Sequence, residues 1–362
     1  MRTIAFLTLI VLAFPAVAQL NAGVAAVSIT PLEKGIPTQL GGYGAREGKP
    51  ATGILDTLHG KALVFEFNGR KSAVVTLDIC SLPVNVVEDA VKKAAVDGLA
   101  VDRVIMAASH THTGLEGAAL DRRNVANNPH IGLFSEPMLE FVTDRLAEAL
   151  VKANAALQPV TAASATTDLP NMIHNRRGDA CVDNGLTALR LDKADGSPYA
   201  VLVNFTAHGT FVDDMDMLVS AEWAGSMQRT MEDLMEGVTC LYTNGAEGDQ
   251  APSGKPAGSR YEKAENYGRR VGIAAWNLVK DLHTAPGKTF ALESREVQLP
   301  ARTGHPDFVK VAGVEYQVTQ DQLDALVQVM FPEKAPIYAF RIDDYMMVTF
   351  PGEPICEIGV AV

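Results

Sequence analysis

The sequence has few cysteines, no cluster of basic residues and no long apolar run beyond its first 18 residues. The cysteines show no C-x-x-C spacing, which argues against a zinc knuckle; they are Cys80, Cys181, Cys240 and Cys356. Acidic residues outnumber basic ones, 43 to 31, and the formal net charge is −12. Nucleic acid is therefore not expected as a partner, because a phosphate backbone favours clustered Lys and Arg. A transmembrane segment is not expected either, since a span needs roughly 20 consecutive apolar residues.

The first 18 residues have the pattern of a signal peptide. Met1 and Arg2 are followed by an apolar run over residues 4–14 and by Ala-Val-Ala at 16–18, a typical cleavage site. The alternative, an N-terminal membrane anchor, requires a longer apolar run. We therefore expect cleavage after residue 18 and a secreted or periplasmic mature chain. Export permits disulfides, but their pairing cannot be read from the spacing.

The chain has ordinary globular composition, with 47% hydrophobic and 20% charged residues. Predicted strands alternate with predicted helices, so we expect an α/β fold of mixed β-sheets with flanking helices, taken as one domain over residues 19–362. The clearest unit is a hairpin around Asn68-Gly69, a helix over 83–98 with Asn85 as a candidate cap, and a strand over 104–108. In such folds functional residues lie beyond the carboxyl ends of the strands.

Two histidines follow the 104–108 strand in the sequence Ser-His-Thr-His-Thr-Gly at 109–114. His110 and His112 leave a strand on the same face, because successive side chains alternate between faces. They could bind one metal together or divide into one ligand and one proton-transfer group, and both readings stay open here. Asp78, which ends the preceding strand, is expected either to orient a ligand histidine or to cap a loop.

His208 and Glu353 share the topological situation of His110. Each comes beyond an apolar predicted strand with a glycine close by. Two imidazoles and one carboxylate match the donor set of open catalytic zinc sites, so the three residues predict a Zn²⁺ centre at strand C-terminal ends. Two neighbouring segments are ambiguous: the glycine-rich loop 41–44 either lines this site or only turns the chain, and the arginines at 176 and 177 are typical of solvated surface.

Several short motifs resemble the neutral/alkaline non-lysosomal ceramidase family, from about residue 23 to the C-terminus. Besides the 109–114 sequence they are Asn-Arg at 175–176, Ala-His-Gly-Thr at 207–210, Ser-Ala-Glu-Trp-Ala-Gly at 220–225, Gly-Asp-Gln-Ala-Pro at 248–252 and Pro-Gly-Glu at 351–353. Members of that family are secreted or membrane-facing zinc amidases that cleave the N-acyl bond of ceramide. The occurrence of all these motifs in this order is more specific than any single motif.

The resemblance implies a role for each candidate residue. His110, His208 and Glu353 become zinc ligands, His112 an acid/base group beside the metal, and Arg176 a group that orients the substrate or stabilises an oxyanion. The implied reaction is hydrolysis of a linear amide or related acyl bond by a zinc-activated water. The implied substrate is small or lipid-like, with transient contact to a membrane surface left open; the oligomeric state is not predicted.

The chain departs from the family pattern at several positions. Ala251 stands where ceramidases carry a serine proposed as nucleophile, so covalent catalysis through that serine is not expected. Gly-Leu-Glu-Gly at 114–117 replaces a Gly-Pro-Gly-Gly run and Glu222 replaces an aspartate, which puts the identity of the substrate in question. The family continues past Pro-Gly-Glu to a tyrosine metal ligand and an immunoglobulin-like domain, so we expect a chain ending at Val362 to be incomplete.

Three other interpretations fit the sequence less well. A metallo-β-lactamase-like hydrolase requires Asp and His at the positions held by Gly114 and Leu115. An amidohydrolase barrel requires a regular eightfold βα rhythm, which the chain lacks. The third is a non-catalytic exported binding protein that keeps the fold; Ala251 favours it, and retention of all the candidate site residues opposes it.

Overall fold

A computed structural model describes residues 19–254, 256–300 and 307–362; the expected signal peptide, 1–18, lies outside them. The strands are β1 (Asn21–Ser28), β2 (Gly53–Ile54), β3 (His59–Phe67), β4 (Arg70–Leu77), β5 (Val104–Ala108), β6 (Gln158–Asp168), β7 (Ile173–Asn175), β8 (Gly185–Lys193), β9 (Pro198–Phe205), β10 (Leu218–Val219), β11 (Thr239–Asn244), β12 (Gln250–Pro252), β13 (Ala285–Pro286), β14 (Phe290–Gln298), β15 (Lys334–Ile342) and β16 (Tyr345–Val348). The α-helices are α1 (Val84–Ala94), α2 (Glu136–Ala155), α3 (Glu222–Leu234), α4 (Arg260–Val279), α5 (Phe308–Glu315), α6 (Gln320–Met330) and α7 (Cys356–Val360).

The predicted α/β class, with mixed sheets and flanking helices, is confirmed. The main sheet has the order β11-β9-β8-β6-β1-β3-β4-β5, with β13 paired beside β6. Most neighbours are antiparallel, but the outermost pairs, β4 with β5 and β9 with β11, are parallel. Each parallel pair is joined by a crossover that contains a helix, α1 in one half of the sheet and α3 in the other.

The two halves of the sheet, β1-β3-β4-β5 and β6-β8-β9-β11, pack against each other. Alternate residues of the strands point to opposite faces. One inward cluster combines Leu63 and Phe65 of the first half with Leu202 and Leu241 of the second. The outward face of the first half is covered by α1 and α2, and that of the second by α3 and α4. The two sheet edges consequently meet, and Asn244 Nδ2, at the end of β11, donates to the carbonyl of Ser109, just after β5, at 3.4 Å.

Local signals in the sequence explain most elements. Asn68 and Gly69 adopt positive φ angles of 51° and 72°, as the tight turn between β3 and β4 requires. Ser135 accepts a hydrogen bond from the backbone N–H of Met138 and so caps α2 as expected. The expected cap of α1 is wrong: Pro83 occupies the N-cap position, and the Asn85 amide donates to the carbonyl of Leu120 instead.

Among the described residues, none of the helices combines the length and the apolar character that crossing a bilayer demands. The longest, α2 and α4, have 20 residues each and carry charged side chains on their outer faces. Their apolar faces pack on the sheet.

Candidate metal centre

The ends of β5 and β9 bring the three histidines together. Thr111 and Gly209 form a parallel bridge between the two segments that leave these strands, and the backbone N–H of His112 donates to the carbonyl of Gly209 at 3.3 Å. His110 adopts a positive φ of 60°, which a non-glycine residue reaches only at a cost and which is common at functional sites. All three imidazole rings lie within 5.0 Å of one another, centroid to centroid, and all are buried.

Backbone carbonyls fix the tautomers of two of these rings. His110 Nδ1 lies 2.7 Å from the carbonyl oxygen of Cys80, and His208 Nδ1 lies 3.1 Å from that of Glu247. Since a carbonyl only accepts, each Nδ1 carries the hydrogen. In the neutral rings both Nε2 atoms therefore present lone pairs, and they face each other at 3.0 Å. Two facing lone pairs repel unless a cation lies between them.

Glu353 completes a three-donor set. Its Oε1 lies 3.4 Å from His110 Nε2, and the ligand atoms of His110, His208 and Glu353 all fall within 4.8 Å of one another. Two ligands of a tetrahedral zinc, each about 2.05 Å from the ion, are roughly 3.3 Å apart. The observed 3.0 and 3.4 Å separations bracket that value, so the donor set fits a zinc ion. The sequence analysis predicts that these three residues lie together, and in the structure they do.

The electrostatic environment keeps His112 and His208 neutral in the absence of metal. Burial, with the neighbouring His110 and Arg176, lowers the pKa of His208 to about 3 despite its bond to the Glu247 carbonyl. Burial and the two other histidines also lower the pKa of His112 far below its usual range, and Arg46 and Arg176 add to the effect. Neutral imidazole is the form that binds metal or accepts a proton.

His112 differs from the other two histidines in its hydrogen bonding. Its Nε2 lies 3.2 Å from His110 Nε2, but its buried Nδ1 has no hydrogen-bond partner among the residues that the structure describes. The loop 41–44 lines the site at this point, which resolves its ambiguity: the Tyr43 ring packs edge-on to His112 at 4.9 Å. A Cβ on Gly42 would lie 2.3 Å from His112 Cγ, so only glycine permits this approach.

A buried arginine, missed by the sequence reasoning, holds this loop in place. Arg46 is 3% exposed, and its guanidinium donates four hydrogen bonds, all to backbone carbonyls: Gly41 (2.6 Å), His112 (2.5 Å), Asp213 (2.9 Å) and Asp216 (3.0 Å). It also lies over the Tyr43 ring, 4.9 Å from the centroid. A single arginine in a glycine-rich loop gives no pattern that predicts burial, so the sequence offered no signal for this role.

Arg176 is solvent-exposed, as expected, but its guanidinium is held beside the same centre. Its Nε and Nη2 donate to the carbonyl of Gly248 at 3.1 and 2.6 Å. Gly248 also donates its N–H to the carbonyl of Pro354, next to Glu353, at 2.9 Å. The loop around Gly248 thus connects Arg176 to the segment that carries the carboxylate ligand.

A disulfide reinforces this connection. Cys181 and Cys356 are bonded across 175 residues, while Cys80 and Cys240 are buried free thiols. The backbone N–H of Cys356 also donates to Asp249 Oδ1 at 2.9 Å. The segment containing Glu353 is therefore held by one covalent and two hydrogen bonds, although the Glu353 side chain itself is 48% exposed.

Three further residues discussed in the sequence analysis, Asp78, Glu222 and Ala251, lie near the candidate site or in the loops around it. Asp78 does not orient a histidine; it accepts from the N–H of His59 at 2.9 Å and from Gln228 at 3.3 Å, so it caps a loop. Glu222 is buried beside the site and accepts from the N–H groups of Phe211 and Val212, while its Oε2 has no hydrogen-bond partner among the described residues. Burial raises the pKa of Glu222 to about 8. Ala251 lies in β12, paired with β7.

Two solved ceramidase structures share the fold of this chain. The neutral ceramidase of Pseudomonas aeruginosa matches with a TM-score of 0.75 and 20% identity over 95% of this chain and 64% of that chain. A ceramidase complexed with C2 matches with a TM-score of 0.76 and 19% identity over 95% of this chain and 65% of that one. Both share the fold and are longer than this chain.

Curated relatives show the same pattern in sequence. Neutral ceramidase A of Dictyostelium discoideum is 24% identical over 261 residues, 64% of this chain and 36% of that protein. Neutral ceramidase B of the same organism is 23% identical over 220 residues, 53% of this chain and 30% of that protein. The chain thus spans about a third of the length of these relatives.

The family model described as neutral/alkaline non-lysosomal ceramidase, N-terminal, matches residues 21–252, more than half of the chain. The matched range contains His110, His112, Arg176 and His208, and Glu353 lies beyond it. By this match, the chain belongs to the neutral/alkaline non-lysosomal ceramidase family.

Proposed function

We propose that the chain is a zinc-dependent hydrolase that cleaves an amide bond of the N-acyl, ceramide-like kind, or a related acyl bond, with water as the nucleophile. The observation that carries the proposal is the pair of Nε2 lone pairs of His110 and His208, 3.0 Å apart, with the Glu353 carboxylate 3.4 Å from the first. Zinc bound by these three residues supplies Lewis acidity, which polarises an acyl carbonyl and makes water more acidic.

His112 is proposed to move the protons of the reaction. Ligand histidines normally donate their second N–H to a fixed acceptor, as His110 and His208 do. Within the described part of the chain His112 has no such acceptor at Nδ1, so neither tautomer is locked. Its neutral ring, adjacent to the metal ligands, is suited to accept a proton from the attacking water and to return it to the leaving nitrogen.

Arg176 is proposed to orient the acyl group or to stabilise the developing oxyanion. Its Nε and Nη2 are engaged by the Gly248 carbonyl, while Nη1 has no hydrogen-bond partner among the described residues. A guanidinium fixed in this way is a preorganised donor. Ala251 supplies no hydroxyl, which supports water rather than a serine as the nucleophile.

The cellular setting follows from the same proposal. Signal-peptide cleavage and export to the periplasm or outside the cell are supported by the Cys181–Cys356 disulfide, because such bonds persist in oxidising compartments. The substrate class is supported by membership of the ceramidase family, with transient contact to a membrane surface proposed as the way a lipid-like substrate arrives.

The test combines metal analysis with a substrate panel. Purified protein is assayed for zinc content and for hydrolysis of N-acyl lipids, N-acyl amino acids and simple esters. His208→Ala is expected to lose both zinc and turnover, whereas His112→Ala keeps zinc and loses roughly 10²–10⁴-fold in rate. His283→Ala, which changes an exposed histidine after α4, is the matched control and should retain both.

Three outcomes contradict the proposal in different ways. A wild-type chain that takes up no zinc at neutral pH cannot work in this manner and is better described as a binding protein. Zinc uptake without hydrolysis of any substrate in the panel excludes the proposed reaction. Unchanged turnover in His112→Ala removes that residue from proton transfer.

A further inference from the structure

A second group of metal-binding side chains shares one member with the proposed zinc site. The Cys80 thiol and one ring nitrogen each of His110 and His112 lie within 4.8 Å of one another, and all three residues are more than 90% buried. Cys80 is a free cysteine that the proposed reaction does not use. A sulfur with two imidazoles is a donor set that soft metal ions prefer.

Two adjacent glycines make room for these donors. A Cβ on Gly41 would lie 2.3 Å from Cys80 Cβ and 3.0 Å from its Sγ, and a Cβ on Gly42 would lie 2.4 Å from His112 Nδ1. The sulfur and the ring nitrogen thus lie against neighbouring residues of one loop. That same His112 Nδ1 is buried and has no hydrogen-bond partner in the described ranges, so its lone pair is free to bind a metal ion.

We propose that Cys80, His110 and His112 form an alternative site for a thiophilic divalent ion, such as Cd²⁺ or excess Zn²⁺, and that its occupation inhibits the enzyme. Binding forms a metal–sulfur bond and releases the thiol proton to solvent. This site differs from the proposed zinc centre, and its inhibitory effect depends on the hydrolase function proposed above.

Competition for one nitrogen explains the inhibition. His110 donates its Nδ1–H to the Cys80 carbonyl, so Nε2 is the only nitrogen it can offer to a metal. An ion held by Cys80, His110 and His112 therefore takes a ligand from the zinc centre and engages the proton-transfer group as well. The two sites cannot both be filled through His110.

Cys80 is buried and forms no disulfide among the described residues. A thiol has to lose its proton to bind a metal, so only an ion with high affinity for sulfur is expected to occupy this site.

The experiment measures sulfur coordination directly. Cd²⁺ is titrated into the zinc-loaded and metal-free full chain, and the ultraviolet sulfur-to-cadmium charge-transfer band is recorded together with residual activity. The band is expected in the wild type and in His208→Ala, which disrupts only the zinc centre. It should be absent in Cys80→Ser and Cys80→Ala, and the Cd²⁺ concentration for half-inhibition in Cys80→Ser should rise more than about tenfold.

Cys240→Ser is the matched control, because Cys240 is the other buried free thiol; the band and the Cd²⁺ sensitivity should persist in it. A band that survives in both Cys80 variants, or no band in the wild type, overturns the proposal. Its failure is separable from failure of the hydrolase proposal, since the band is read without turnover and in a variant that lacks the zinc centre. Cd²⁺ inhibition that is unchanged in Cys80→Ser also overturns it.

Discussion

Removing the Cys181–Cys356 disulfide should weaken the proposed zinc centre, although neither cysteine is one of its proposed ligands. The bond holds the segment that follows Glu353 to the loop that follows Arg176. The perturbation is the double variant Cys181→Ser/Cys356→Ser, which avoids leaving one reactive thiol. Its matched control is Cys240→Ser, which removes a thiol from the core without opening a cross-link.

The disulfide acts on the stability of the whole fold and on the position of the Glu353 segment. In the chain-entropy model, closing a loop of 175 residues raises the free energy of the unfolded chain by about 5 kcal/mol, although measured disulfides usually contribute about 2–4 kcal/mol to stability. Locally, two hydrogen bonds remain, from Gly248 N–H to Pro354 O and from Cys356 N–H to Asp249 Oδ1, both 2.9 Å. At about 1–2 kcal/mol each, they hold the Glu353 segment only part of the time.

Two assays follow from these two effects. Thermal unfolding of the double variant should show a midpoint lower by roughly 5–10 °C. Competition with a zinc chelator should show an affinity reduced by about 10- to 100-fold, because Glu353 must then be ordered at the moment of binding. Arg176 should be affected less, since the Gly248 carbonyl still holds it.

Unchanged zinc affinity in the double variant would refute this reasoning, since it would mean that the two hydrogen bonds suffice to place Glu353. A fall in affinity of the same size in Cys240→Ser would refute it as well, by showing that any cysteine replacement disturbs the centre.

Two further predictions concern buried charges beside the site. Glu222→Gln should flatten the pH dependence of stability. The Glu222 carboxyl has a pKa of about 8 in the folded chain against 4.5 in the unfolded chain, so the free energy of unfolding of the wild type should fall by up to about 5 kcal/mol as pH rises through that range. Urea unfolding at several pH values measures this fall, and parallel curves for the variant and the wild type would exclude it. Arg46→Met should lower the free energy of unfolding by about 3–5 kcal/mol and lower kcat, because the carbonyls of Gly41 and His112 lose their donor. Arg46→Lys should recover part of both, and an Arg46→Met variant with unchanged stability and kcat would contradict the assigned role.

Much of the fold could be predicted from the sequence because its elements carry local signals. The 104–108 strand, the turn at Asn68-Gly69 and the Ser135 cap all depend on residues a few positions apart. Composition and periodicity report such short-range chemistry well. The cap of α1 was missed because Asn85 has a better partner, the Leu120 carbonyl, which is distant in sequence.

The candidate site was predictable for a different reason. Residues beyond the carboxyl ends of parallel strands meet at a common edge, so His110 and His208 could be placed together without knowing the sheet order. What could not be predicted is which groups surround them. Arg46, the Cys181–Cys356 pairing and the loop-capping role of Asp78 depend on contacts between segments that no local pattern connects.

The meeting of the two sheet edges also has a consequence for how the protein matures. His110 and His208 are 98 residues apart and reach each other only when the first and second halves of the sheet have packed. A growing polypeptide therefore offers metal ions no complete set of donors until its sheet has closed and the Glu353 segment has been synthesised. For the proposed zinc centre, ion uptake would then be the last event of maturation, and zinc content would measure the fraction of molecules that folded correctly.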